Sequence, residues 1–164
     1  MTRSMVRIQM APVEELQLIR LVQDFRELLG ADRDLADPAI ARLTPVAYPD
    51  DADAALEFRS GTQGDLLDRR DADAAIVSSA YSSIDDELAG MSEDEPFITR
   101  EVSIPAGDVD AWLRTLTAIR LVIATRLQID SEEDHDPEDD RFRVYDWLGY
   151  RLELLIEAAE EQGV

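Results

Sequence analysis

The chain has 164 residues, no cysteine, a single histidine, and 37 acids against 16 bases for a formal net charge of −21. That length suits one domain burying roughly two-thirds of its unfolded surface, and the lack of cysteine excludes disulfides, thiol nucleophiles and thiolate metal sites. Every base is arginine, which excludes a phosphate-loop lysine, a Schiff base and a lysine general base, while a field this acidic repels nucleic acid and anionic membranes.

Val6-Arg7-Ile8-Gln9-Met10 alternates apolar and polar residues, the pattern of a half-buried strand. Pro12 then suits a first helical turn, with Glu14 and Glu15 placed favourably against the helix dipole. Leu16, Ile19, Val22, Phe25, Leu28 and Leu29 form one stripe down this helix, which Gly30 ends. A turn-rich segment follows, holding a short helix from Asp37 to Leu43 between Pro38 and Pro45. Another helix begins near Asp51 and breaks at Gly61-Thr62-Gln63-Gly64, where Thr62 and Asp65 read as a variant capping box. Leu66, Leu67, Ala74, Val77, Tyr81, Ile84 and Leu88 then keep helical spacing to Gly90.

Ile98 to Ile104 reads as a second strand running into a helix, with Asp108 as its N-cap. Val109, Trp112, Leu113, Leu116, Ile119, Ile123 and Leu127 mark the core face of that helix; Leu121 and Val122 make its middle apolar nearly all round, as in a central or interfacial helix. Val144, Trp147, Leu148, Leu152, Leu155, Ile156 and Ala159 define a last amphipathic helix. The expected fold is therefore one mainly α domain over 1–164. It is a compact bundle of five or six helices, with a small two-stranded sheet from residues near 5–10 and 98–104. The first residues lack the apolar run of a signal peptide, and Leu116 to Ile123 is too short to span a bilayer, so a cytoplasmic protein is expected.

Three segments, ARLTPVAYPDDADAALEFR, DAWLRTLTAIRLVIATRLQI and VYDWLGYRLELLIEA, resemble an uncharacterised actinobacterial family, domain of unknown function number two thousand and seventeen. VRIQM at the start and DLLDRRDADAA in the middle extend the resemblance over nearly the whole chain. Ala124 and Gln128 depart from it, since the family tends to carry glycine on both sides of the TRL. The resemblance implies no defined activity. Its members are often encoded beside ClpS, the adaptor of the Clp protease, which implies a link to Clp-type proteolysis by association.

The conspicuous stretch is Asp130 to Asp140, where His135 sits among eight acids. As a calcium loop starting at Asp130 it puts His135 where glycine is required and Arg141 where the bidentate glutamate belongs; starting at Asp134 fails likewise. Glu132 and His135 have the spacing of half a di-iron motif, whose other half needs a second histidine. The stretch reads as a solvated interhelical loop at 130–140, alternatively a recruiting surface for a basic partner or a weak divalent-cation site. No metal, cofactor or catalytic residue is assigned.

Arg114, Arg120 and Arg126 lie six apart, hence about 240° of turn from one to the next, so they point in three directions and form no anion-binding stripe. Arg120, flanked by apolar residues, needs a partner if buried, and Asp146 is the expected one. Arg59, Arg120, Tyr145 and Asp146 form the candidate structural or binding cluster, and Tyr48, Trp147 and Tyr150 a candidate interaction surface. The reading is a non-enzymatic protein–protein interaction or regulatory module, self-associating as a homodimer through the apolar helix or the last one. The alternatives are a small-ligand binder or enzyme using the Arg/Asp/Tyr pocket, and an acidic nucleic-acid mimic.

Overall fold

The structure, a computed structural model of the chain, describes residues 3–45, 50–58 and 62–164. The alternating segment forms β1 (Met5–Met10), with Val6, Ile8 and Met10 buried and Arg7 and Gln9 exposed. Its partner is β2 (Arg100–Pro105), starting two residues later than the periodicity predicts and preceded by a 3-10 turn at Glu95–Phe97. The strands pair antiparallel, Val6 opposite Ile104 and Ile8 opposite Val102. The chain is mainly helical with this one small sheet among the described residues.

Between the strands run α1 (Pro12–Leu29), α2 (Pro38–Leu43), α3 (Ala52–Phe58), α4 (Gly64–Ser79) and α5 (Ile84–Ala89); α6 (Val109–Arg126) and α7 (Arg143–Glu161) follow β2. α1 packs on α4, α4 on α6, α6 on α2 and α7, and α7 on β1. Leu18, Val22, Leu67, Val77, Leu116, Leu148 and Leu155 meet in one core. Each such fully buried side chain contributes about 1.5–3 kcal/mol. No helix among the described residues is long and apolar enough to cross a membrane.

The helical pattern through Tyr81 to Gly90 breaks into α4 and α5 at a turn, and there Tyr81 meets Trp112 edge-on at 5.9 Å. Asp108 does hold the N-cap position of α6, at the end of a 3-10 turn, but its side chain makes no capping hydrogen bond, and Gln63 rather than Thr62 holds the N-cap position of α4. Gln63 and Asp108 have helical backbone angles, so the extended N-cap geometry that lets a side chain reach back is absent. Asp37 does cap α2, accepting from the Ala39 N–H at 2.9 Å.

Ion pairs tie the helices in specific orientations. From α4, Asp68 and Asp71 reach Arg33 and Arg26 on the α1 side, each at 2.9 Å. The three spaced arginines of α6 do radiate. Arg114 grips Asp73 of α4 at 2.9 and 3.2 Å, Arg126 grips Asp37 at 2.7 and 2.6 Å, and Arg120 turns towards α7. Solvent-reached pairs of this kind contribute at most about 1 kcal/mol each, so they set helix orientation more than stability.

One pair is different. Arg151 of α7 is buried, donates to the Gln9 carbonyl at 2.7 Å and binds Glu14, which also accepts from Trp147 Nε1 at 2.9 Å. Burial alone would raise the Glu14 pKa, but the Trp147 and Arg151 hydrogen bonds and the Arg151 charge outweigh it and hold the carboxyl below its ordinary value. The acids of the first turn of α1 thus do more than face a dipole, since Glu15 in turn binds Arg100 of β2 at 2.8 Å.

Candidate functional site

The end of α6 sets the site. Gln128 has φ +59°, with its N–H bonded to the Thr125 carbonyl at 3.2 Å and the Ile129 N–H bonded to the Ala124 carbonyl at 2.8 Å. This is a Schellman closure, which places a left-handed residue just past the helix end and packs the next apolar residue back on the last turn. Ile129 accordingly joins Ala124 and Phe142 in a second small core beneath the acidic connection. Glycine would suit position 128, since it adopts a positive φ without a Cβ penalty.

The connection is solvated but shaped. Ser131 and Asp134 form a reciprocal capping box over a 3-10 turn at Glu132–Asp134, and Asp139 caps a second turn by accepting from the Arg141 N–H at 2.9 Å. Most of its acids are exposed, whereas His135 turns inward. Its ring stands edge-on to Phe142 with centroids 5.3 Å apart and tilts against Tyr145 at 5.9 Å. His135 Nε2 lies 2.6 Å from Asp146 Oδ1.

That contact corrects the expected Arg120–Asp146 bridge. Asp146 pairs with His135, while Arg120 Nε donates to the backbone carbonyl of Tyr145 at 3.2 Å and its guanidinium lies 3.8 Å from the centre of the Tyr145 ring. The other side of the guanidinium is Gly149. A Cβ there would meet Arg120 Nη2 at 3.0 Å and Cζ at 3.2 Å. One turn of α7 thus builds a slot for Arg120 from an aromatic face, a carbonyl and an absent side chain. Cation–π contact and a charge-assisted bond together favour this placement by about 2–4 kcal/mol before desolvation is counted.

Arg120, Tyr145 and Asp146 line a single open cleft of about 840 Å³ between α6, α7 and the connection, with Arg42, Glu132 and His135. Arg59 and Tyr48 lie outside the described residues. Trp147 and Tyr150 do not share the cleft: Trp147 is committed to Glu14, and Tyr150 is exposed on α7. Sequence reasoning missed Arg42, which crosses to Thr125 Oγ1 at 3.2 Å, and the inward placement of His135. Neither has a periodic signal; a lone histidine in an acidic run gives no cue that a helix about five turns long will present Asp146 to it. Among the described residues no three His, Asp or Glu side chains converge as a metal site needs. His135 and Asp146 have the relation of a base and its orienter, with no hydroxyl within hydrogen-bonding distance of the ring among the described residues.

A family model described as a domain of unknown function, DUF2017, matches residues 1–159. An alanine–tRNA ligase from Bifidobacterium longum (strain NCC 2705) is 31% identical over 93 residues, covering 55% of this chain. The chain spans 9% of the length of that ligase. No solved structure matches.

Proposed function

The chain belongs to the DUF2017 family, and from that premise we propose a non-enzymatic regulatory module that binds a protein partner at the α6–α7 cleft. The observation that carries this is a pair of arginines without acids. Among the described residues nine arginines make ion pairs and six make none, and of those six Arg42 and Arg120 are the two that line the cleft. Each keeps guanidinium donors for an incoming carboxylate, for which planar bidentate geometry is well suited. Asp130, Glu132 and Asp146 line the same cleft and offer acceptors to a cationic group. The favoured partner segment therefore carries a carboxylate beside an amine or basic side chain. The proposal includes action in the cytoplasm beside Clp-type proteolysis, which is supported by the association that the family resemblance implies.

The test is affinity capture from the native organism with the natural protein, Arg42→Met and Arg120→Met, alongside circular dichroism of each. Partners retained by the natural protein and lost with both folded variants support the reading. Equal capture by all three proteins refutes it, as does an Arg120→Met chain that fails to fold while Arg42→Met captures normally. Self-association is part of the proposal and is placed on α7, where Tyr150 and Ile156 are exposed; a strict monomer by light scattering refutes that part.

A second reading has its own support: the cleft volume falls within the range of small-molecule sites. Under it the same carboxylate-and-amine chemistry belongs to a free ligand. Native mass spectrometry of the purified protein distinguishes the two, because a small ligand adds a discrete mass that Arg120→Met abolishes.

A further inference from the structure

The two edges of the sheet differ in a way that points to a second binding surface, remote from the α6–α7 cleft. The Ala106 N–H donates to the Ser4 carbonyl at 2.9 Å, which fixes the phase of the antiparallel ladder. Counting inward along the register, Val6 with Ile104 and Ile8 with Val102 are the pairs that exchange hydrogen bonds. The N–H and C=O groups of Arg7 and Gln9, and of Glu101 and Ser103, therefore point away from the partner strand. Pro105, which lacks an N–H, occupies another of these outward positions, where nothing is lost by it.

On the β1 side α7 packs against the strand, and buried Arg151 donates to the outward Gln9 carbonyl. On the β2 side no described residue gives such cover. A groove of about 500 Å³ runs along Glu101–Pro105, walled by Ile76, Ala80 and Tyr81 at the end of α4 and the turn after it. Glu15, Glu87, Glu101 and Asp108 also line it; Arg100 bridges Glu15 and Glu87 and Arg7 pairs with Glu101, so four acids meet two bases and the groove keeps a net negative charge.

We infer that the free edge of β2 docks an extended basic peptide as a third strand. Main-chain pairing to Glu101 and Ser103 supplies the hydrogen bonds, as in other cases of strand addition. Alternate side chains of the added strand face the apolar wall of Ile76, Ala80 and Tyr81, and those between them face the acids. Charge selects the occupant. A second copy of this chain would bring Glu101 and a −21 field against the same edge, which is how proteins keep such edges apart, whereas a lysine- or arginine-bearing strand is attracted.

The experiment uses the full chain, ¹⁵N-labelled, titrated with acetyl-Lys-Val-Lys-Val-Lys-Val-amide, a length that matches the six residues of β2. The control peptide carries glutamate in place of lysine. The informative variant is Ser103→Pro, which removes an outward N–H without breaking the β1–β2 ladder. Shifts and slowed amide exchange at Glu101 and Ser103 with the lysine peptide are expected, with none for the glutamate peptide. Ser103→Pro should bind about fivefold more weakly or worse, the loss of one hydrogen bond, while its β1 amides keep their protection. Undiminished binding by Ser103→Pro overturns the inference, as do shifts confined to the α6–α7 cleft. Concentration-dependent protection of Glu101 and Ser103 without peptide also overturns it, by assigning the edge to a second copy.

Discussion

Replacing Glu14 by glutamine tests the buried junction between α1, α7 and β1. The side chain keeps its shape but loses its charge, leaving Arg151, whose side chain is 8% exposed, with the Gln9 carbonyl as its remaining acceptor apart from the new amide. Removing one partner of a buried ion pair costs about 3–5 kcal/mol. The Glu14 side chain is 29% exposed, so water recovers part of the loss, and about 2–3 kcal/mol is expected here. For a chain of this length that lowers Tm by roughly 5–10 °C. The pH dependence fixes the sign independently. The carboxyl is held below its ordinary value of 4.5, so its contribution is present above that pH and is lost as pH falls through the lower, folded value. Urea unfolding followed by circular dichroism at pH 7 and at successively lower pH should show the gap between the natural protein and Glu14→Gln closing below about 4.5. Acid relief of the net negative charge acts on both proteins and cancels in the difference. A gap under about 0.5 kcal/mol at pH 7, or one that persists unchanged into acid, refutes the assignment.

Gln128→Gly should raise stability by about 0.5–1 kcal/mol in the same assay, because the Schellman position has φ +59° and glycine adopts it without a Cβ penalty. Tyr81→Phe should be neutral or stabilising by up to about 1–2 kcal/mol, since the Tyr81 hydroxyl is buried without a hydrogen-bond partner among the described residues. Burial raises the Tyr81 pKa, so the natural protein should lose stability as pH rises above about 10 and Tyr81→Phe should lose less. Asp37→Ser keeps a cap on α2 and loses the Arg126 pair, while Asp37→Ala loses both. The alanine variant should be less stable than the serine variant by about 1 kcal/mol in thermal melts. Gly149→Ala gains up to about 1 kcal/mol of helix propensity but displaces the Arg120 guanidinium, so ligand binding at the cleft should weaken even where Tm holds.

Periodicity determined much of this protein before any contact was known. The stripe of α1, the core face of α6 and the alternation of β1 each state which side is buried, because one apolar face must be removed from water whatever covers it. The 240° step between Arg114, Arg120 and Arg126 likewise predicts that they diverge, and they reach α4, α7 and α2. What the sequence left open is which groups meet across the fold. By charge Asp146 is the expected partner for Arg120, yet the turn of α7 offers Arg120 a carbonyl, a ring and the space at Gly149, and offers Asp146 to His135. The acids of the first turn of α1 fit a helix dipole in any context, and only the packing of α7 on β1 makes Glu14 the counter-ion of a buried arginine. Charge pairing is long-range in sequence and short-range in space, so only tertiary structure decides it.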